Sequence, residues 1–340
     1  MKQRILIAAV VLVAVVSADL VAAEVLVAVV HPEAGKNRSF ANYMKNAALF
    51  RLHLIVFLWG FTAIIGKLIT ADAQTLVFYR MLFAAAILFV FIRFIQKKSL
   101  HVPKKLMYQL VTIGGFMAFH WLCFFYSIKI SNVSIALSCL SLSTLFAAIL
   151  EPIVFKRKID LPEVIIGVVI VLCISLIFNV EFRYKEGIFY GILAALFGTV
   201  FSVFNGKLYG RTSSGNIIFY EIFGGFLILA LFSVLSGQIA EVVDLSWRDL
   251  ALVVLLAGVF TAFPMLESVN LMKYISPFTL VLTVNLEPVY GIILAFFIFG
   301  ESEQMSTLFY IASFVMILAI IINGILKSKR TKKKLNSEIQ

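Results

Sequence analysis

Charge is scarce in this 340-residue chain: Asp, Glu, Lys and Arg together make up 14%, against 62% hydrophobic residues and a mean hydropathy of +1.03. A soluble domain carries about a quarter charged residues, so an ordinary globular enzyme is excluded, as is a disordered chain. Cysteine is nearly absent. Cys123, Cys139 and Cys173 all fall inside apolar runs without paired spacing, which excludes a disulfide framework or a zinc site and leaves small packing residues. The sequence has no phosphate-binding glycine loop, no HExxH, no GxSxG and no Cys/His cluster. No metal and no cofactor are expected, and the loops are too short for a nucleotide domain, which excludes a self-contained ATP-driven pump.

What is present in excess is apolar length. A bilayer core of about 30 Å takes ~20 apolar residues per helix. From Leu52 onward, apolar runs bounded by charge or turn residues fall at 52–71, 75–95, 106–128, 132–155 and 161–179, then at 187–208, 214–236, 247–271, 277–299 and 304–326. These are numbered spans 1 to 10. Their uniform apolarity predicts helices, because strands of a membrane barrel alternate. The partners implied are the lipid bilayer and a small solute, with no nucleic acid and with a monomer or homodimer as the assembly.

Residues 1–43 have a different composition. Ile5–Val30 holds 17 Ala or Val in 26 residues, and the first of 33 Phe is Phe40. Three readings compete. One is a signal peptide ending near Ala18. Another is an extra span, for which Asp19 and Glu24 would be costly. The third, favoured here, is a hydrophobic extension outside the working fold, with Met44 as the natural start.

The formal net charge of +11 reads as orientation. With the segment before span 1 placed in the cytoplasm and the loops alternated, the cytoplasmic side carries 21 Lys and Arg and the opposite side 4. The positive-inside rule then puts both ends of the ten-span unit, including the basic tail 327–340, in the cytoplasm of a cell-membrane protein. A cleaved signal peptide conflicts with this count.

Five spans per half is odd, so a duplicated half inserts upside down. Traces of duplication run in one order. Trp59-Gly60 matches Phe197-Gly198, and Gly66-Lys67-Leu68 matches Gly206-Lys207-Leu208. Phe78-Tyr79-Arg80 matches Phe219-Tyr220-Glu221. Leu142-Ser143-Thr144 falls on Leu286-Glu287-Pro288 when Lys129 is laid on Lys273. The expected architecture is all-α and integral to the membrane, with ten helices as two inverted five-helix repeats, 44–180 and 181–326. Inverted repeats belong to secondary transporters, which bind cargo near the midplane between repeats.

On these residues, together with Asn285-Leu286-Glu287-Pro288 and Phe299-Gly300-Glu301, the chain from about Phe50 to Leu326 resembles the drug/metabolite transporter superfamily, in particular its EamA-type permeases. The resemblance implies a central cavity, alternating access and outward carriage of small metabolites or amino-acid-like solutes. The chain departs from the family pattern at Thr144, where Pro is frequent, and at Lys156-Arg157, where Gly-Glu is frequent.

Charged residues inside a membrane cost roughly 2.5–3.5 kcal/mol each on insertion scales and usually face the bundle interior. Arg80 lies about 7–8 Å inside span 2 at 1.5 Å per residue. Its repeat partner Glu221 enters span 7 from the opposite side. Glu287 is deepest, next to Pro288, which can kink the helix and free a carbonyl. An apolar surround penalises an isolated carboxylate, so Glu287 is also the candidate for proton coupling. These three are the expected polar anchors of the substrate site, with Trp59, Tyr79, Trp121 and Tyr220 as aromatic walls. His120 is either a packing residue or part of the pathway. Ser134, Ser138 and Ser141 share one face of span 4, either as a cavity wall or bonded to their own helix. Asn205 and Asn285 are buried amides that need partners. Glu151 and Glu267 read as interfacial ion-pair partners, and Lys67 as a snorkelling residue at the outer end of span 1. Gly187, Gly191 and Ala195 form a small-residue stripe for helix packing, a role also expected of Gly114-Gly115 and Gly224-Gly225.

Two other functions fit the composition: an integral-membrane enzyme acting on lipid, with Glu151 and Glu267 as its only candidate acids, and a non-transporting scaffold or passive channel.

Overall fold

The computed structural model describes residues 38–208, 210–237, 245–271, 274–275, 283–284 and 286–322, with side chains from residue 47 onward. The readings of residues 1–37, Lys273, Asn285 and the tail 327–340 lie outside the described residues. Every regular element among the described residues is helical.

Eight helices are long and apolar enough to cross a membrane: Ala47–Leu68, Ala73–Ile95, Lys104–Ile130, Val133–Phe155, Leu161–Val180, Phe182–Leu208, Ser214–Leu235 and Trp247–Leu271. They are spans 1 to 8. Glu287–Phe299 is the described part of span 9, and Thr307–Ile322 that of span 10. The first helix starts at Arg38, ahead of the run expected from hydropathy.

The boundaries follow local chemistry. Asp72 accepts from Gln74 N and Thr75 N to begin span 2, and Asn132 accepts from Ile135 N to begin span 4. Ser213 and Ser246 do the same for spans 7 and 8. Each satisfies an N–H that the first helical turn leaves without a partner. Span 4 ends at Lys156, whose φ of 52° lies in the left-handed region.

Spans 4 and 9 each carry an interruption of the same form. In span 4, Leu142 N donates to Cys139 O at 3.1 Å, and regular bonding resumes with Phe146 N to Leu142 O. In span 9, Leu286 N donates to Thr283 O at 3.0 Å, and Tyr290 N donates to Leu286 O. Both are tightened turns closed by i→i−3 bonds. The helix Glu287–Phe299 starts directly after the second, so Pro288 sits in a first turn, where its missing N–H leaves no bond unmade. The expected mid-helix proline kink is therefore a helix start.

The core has two main parts. One joins buried residues of spans 1, 2, 3, 7 and 8, among them Ile64, Met81, Phe125, Ile222 and Phe260. The other joins spans 4, 5, 6 and 10 through Ile135, Ile170, Ile188 and Phe309. Span 3 bridges them, packing along spans 6 and 7. Close approach is set by small residues. A Cβ on Gly191 would stand 2.7 Å from Cys139 Cβ, and one on Gly224 2.7 Å from Val111 Cα. Span 1 crosses span 9 at Gly60 and Gly291, span 6 packs on span 4, span 2 packs on span 8, and span 1 on span 8.

Candidate functional site

Arg80 is buried to 2% exposure in the N-terminal half of span 2. Its position is over-determined. Nε donates to Thr261 Oγ1 at 2.8 Å, and Thr261 Oγ1 in turn donates to Leu256 O at 2.7 Å. That second bond reaches back five residues because Gly258–Ala262 is a π-helical turn within span 8, a geometry that recurs at functional sites. The guanidinium lies over the Trp121 ring, 3.8 Å from its centroid, and 5.4 Å from the Phe125 centroid. A cation against an aromatic face in a dry setting gains roughly 2 kcal/mol. Nη1 has no hydrogen-bond partner among the described residues. A buried charged donor without an acceptor is expensive, so this edge of the side chain is set to receive one.

Glu287 lies within electrostatic range of Arg80 without a direct ion pair. Its position follows from the turn at Leu286, since the carboxylate occupies the first turn of the helix behind it. The N-terminal end of a helix favours negative charge. Gly60 is the other positioning element: a Cβ there would meet Gly291 N at 3.1 Å and Tyr290 Cβ at 3.2 Å, tight contacts that glycine relieves where span 1 lies against this turn.

His120 also feels the charge of Arg80, but its ring serves the contact with span 6. Nδ1 is 2.7 Å from Ala194 O, and a Cβ on Gly198 would stand 2.8 Å from the same atom. Phe124 and Phe201 flank the ring.

Glu221 occupies a second location. It is fully buried, Asn205 Nδ2 donates to one carboxylate oxygen at 3.1 Å, and the other oxygen has no partner among the described residues. No interaction joins it to Arg80 or Glu287 among the described residues. The aromatic candidates also divide. Trp121 is in direct contact with Arg80, while Tyr79 stacks on Phe83 with centroids 5.8 Å apart. Tyr220 donates from its hydroxyl to Leu100 O at 2.9 Å, pinning the span 2–3 loop. Trp59 packs against the cluster that includes Ile55, Leu271 and Ile275, at the C-terminal end of span 8.

The serine face of span 4 is not continuous. Ser134 Oγ donates to Glu303 rather than to its own helix, Ser138 Oγ is buried without a partner, and Ser141 lies in the tightened turn. Lys67 does not snorkel. Its Nζ pairs with Glu303 at 2.6 Å and lies over the Phe299 ring. Glu151 and Glu267 do form ion pairs, with Arg157 and Arg51.

Thr261, Asp249 and Glu303 were invisible in the sequence. A lone Thr in an apolar run carries no pattern. The Phe299-Gly300-Glu301 resemblance points to Glu301, which is exposed, whereas Glu303 is the buried carboxylate.

Two stretches of the chain, residues 47–179 and residues 185–325, each match the EamA-like transporter family. The chain belongs to the EamA-like transporter family. It is thus a multi-pass membrane protein of the drug/metabolite transporter superfamily. A relative, the uncharacterized transporter YxxF of Bacillus subtilis (strain 168), is 24% identical over 263 residues, spanning 75% of this chain and 83% of that protein. One solved crystal structure, 16% identical, superposes with a TM-score of 0.57 over 85% of this chain and 99% of its own. That likeness concerns the fold alone.

Proposed function

We propose that the chain is a secondary carrier that exports a small metabolite or amino-acid-like solute by alternating access, with Arg80 and Glu287 as the charged anchors of its site. The observation that carries this reading is a buried guanidinium, fixed by Thr261 and Trp121, with its Nη1 edge open and an acidic side chain in electrostatic range on a different span. Two opposite charges held apart on separate helices suit a cargo that bears both signs or is polar at two ends.

The two family matches, residues 47–179 and 185–325, support an inverted duplication. So does the packing: exchanging spans 1 to 5 with spans 6 to 10 turns the 1–9 contact into the 6–4 contact, and the 3–7 contact into the 8–2 contact. The interruptions give the finest support. Shifting Cys139, Leu142 and Phe146 by 144 residues gives Thr283, Leu286 and Tyr290, the residues that bond in the same way in span 9. The loop charge count supports cytoplasmic ends in the cell membrane.

Flux in proteoliposomes tests the reading. Saturable counterflow is expected of the native chain. Under an imposed pH gradient, Glu287→Gln is expected to abolish gradient-driven uptake while leaving counterflow measurable. A gradient-driven flux unchanged by the substitution removes proton coupling through Glu287, and a flux that never saturates removes the carrier.

A further inference from the structure

We propose that Glu303 is the outer gating residue of the transport cycle: its carboxylate clasps Lys67 of span 1 to the start of span 4, and this clasp must open once per turnover. The inference rests on the carrier reading and on the orientation given above.

Glu303 ends the short 3-10 turn Gly300–Glu303 that joins spans 9 and 10, and its side chain is entirely excluded from solvent. The turn is aimed by Gly300, whose φ of 57° favours a residue without a Cβ. Both carboxylate oxygens are filled. One accepts from Lys67 Nζ at 2.6 Å and Val133 N at 3.0 Å; the other accepts from Ser134 N at 2.9 Å and Ser134 Oγ at 2.7 Å. One side chain thus ties together span 1, span 4 and the connection between spans 9 and 10.

A second set of contacts grips the same end of span 1. Asp249, in the first turn of span 8, accepts from Thr70 N at 2.9 Å, Thr70 Oγ1 at 2.6 Å and Ala71 N at 3.0 Å. Lys129, at the end of span 3, donates to Ile69 O. The ends of spans 1, 3, 4 and 8 on this side are therefore held by charged groups whose carboxylates, Glu303 and Asp249, are buried.

The opposite end is not a copy. Lys207 corresponds to Lys67 in the duplicated half, yet it is exposed and has no ion pair among the described residues. Arg157 pairs with Glu151 of its own span and with Glu163 in the first turn of span 5, and Arg51–Glu267 joins spans 1 and 8. A carrier that alternates cannot keep both ends tied, and the most deeply buried of these carboxylates, Glu303 and Asp249, lie on the outer side. A mere fold-holding role would not make the sidedness of the cavity depend on Glu303, whereas a gate does.

The test uses the full chain in intact cells, with Cys123, Cys139 and Cys173 replaced and one reporter, Ser138→Cys, one helical turn below the clasp. A membrane-impermeant maleimide is applied from outside. Labelling is expected to be slow with the clasp intact and about tenfold faster with Glu303→Gln, the change produced by ~1.4 kcal/mol. Lys67→Met, which leaves the span 4 contacts in place, is expected to act in the same direction. The folded fraction of each variant is checked by gel filtration, so that Lys67→Met decides if Glu303→Gln does not fold. Unchanged outside labelling in the folded variants overturns the proposal. Lys185→Cys, in the first turns of span 6, reports orientation separately: labelling only from the cytoplasmic side overturns the placement of the gate on the outer face. Counterflow by the native chain tests the carrier reading independently of either.

Discussion

Adding one methyl group at Gly114 separates backbone contact from helix propensity. Gly114 of span 3 faces span 7, where a Cβ would collide with the carbonyl oxygen of Glu221 and come within 2.9 Å of Gly225 N. Both neighbours are backbone atoms and cannot rotate away, so the two helices would have to part. Overpacking of this kind costs about 1–3 kcal/mol, and the upper end applies where no flexible side chain can yield. Replacing glycine by alanine within a helix returns about 1 kcal/mol. The net expectation for Gly114→Ala is a loss of ~2 kcal/mol. Gly206→Ala is the internal control. The nearest atom to its added Cβ is Phe155 Cζ at 3.6 Å, an ordinary contact, so only the propensity remains and the variant gains up to ~1 kcal/mol. The assay is thermal unfolding of detergent-solubilised protein followed by a thiol-reactive fluorophore, since all three cysteines are buried in the folded chain. Gly114→Ala should melt several degrees below the native chain, and Gly206→Ala at or above it. A Gly114→Ala variant as stable as Gly206→Ala would refute the claim that spans 3 and 7 touch through backbone at this crossing.

Three further outcomes follow from particular contacts. Thr261→Val removes the acceptor of Arg80 Nε and should raise the KM of counterflow, with Thr261→Ser restoring it; a stability loss of about 1–3 kcal/mol accompanies the unpaired donor. Asp249→Asn weakens its contacts with Thr70 and Ala71 and should speed backbone amide exchange at those two residues in hydrogen-exchange mass spectrometry, while the start of span 7 remains unchanged. Gly300→Ala strains a turn at φ 57° and should cost roughly 1–2 kcal/mol in the same melting assay, whereas Ala at Gly187 should fail for a different reason, collision with Ser131.

The extent of each span was legible because lipid accepts only long, uniformly apolar helices, and the apolar runs agree with the observed helix ends to within a few residues for spans 2 to 8. Arg80, Glu221 and Glu287 were legible as candidates because charge inside such a run is costly. Their partition was not. Nothing in the sequence states that Trp121 would lie under the Arg80 guanidinium while Glu221 turns to Asn205, because those contacts depend on how helices distant in sequence are rotated against each other. The outer carboxylates were missed for a related reason. Loop charges were weighed by Lys and Arg alone, so Lys129 counted towards topology and Lys67 was read as snorkelling, while Asp249 and Glu303, the acids near them, did not enter. The burial of Glu303 depends on a glycine turn that redirects a residue which hydropathy assigns to a loop.

The tightened turn at Ser141 and Leu142 alters the angular phase of span 4. A regular α-helix advances 100° per residue, and a 3-10 step advances 120°, so two such steps swing everything after the turn by about 40° relative to an uninterrupted rod. The swing carries Thr144 and Ala148, which in an uninterrupted rod would trail the edge set by Ser134 and Ser138, back towards that edge, and all four are buried. Scanning mutagenesis down this segment would show two periodic patterns offset from each other, and a single helical wheel drawn through all its residues would blur both.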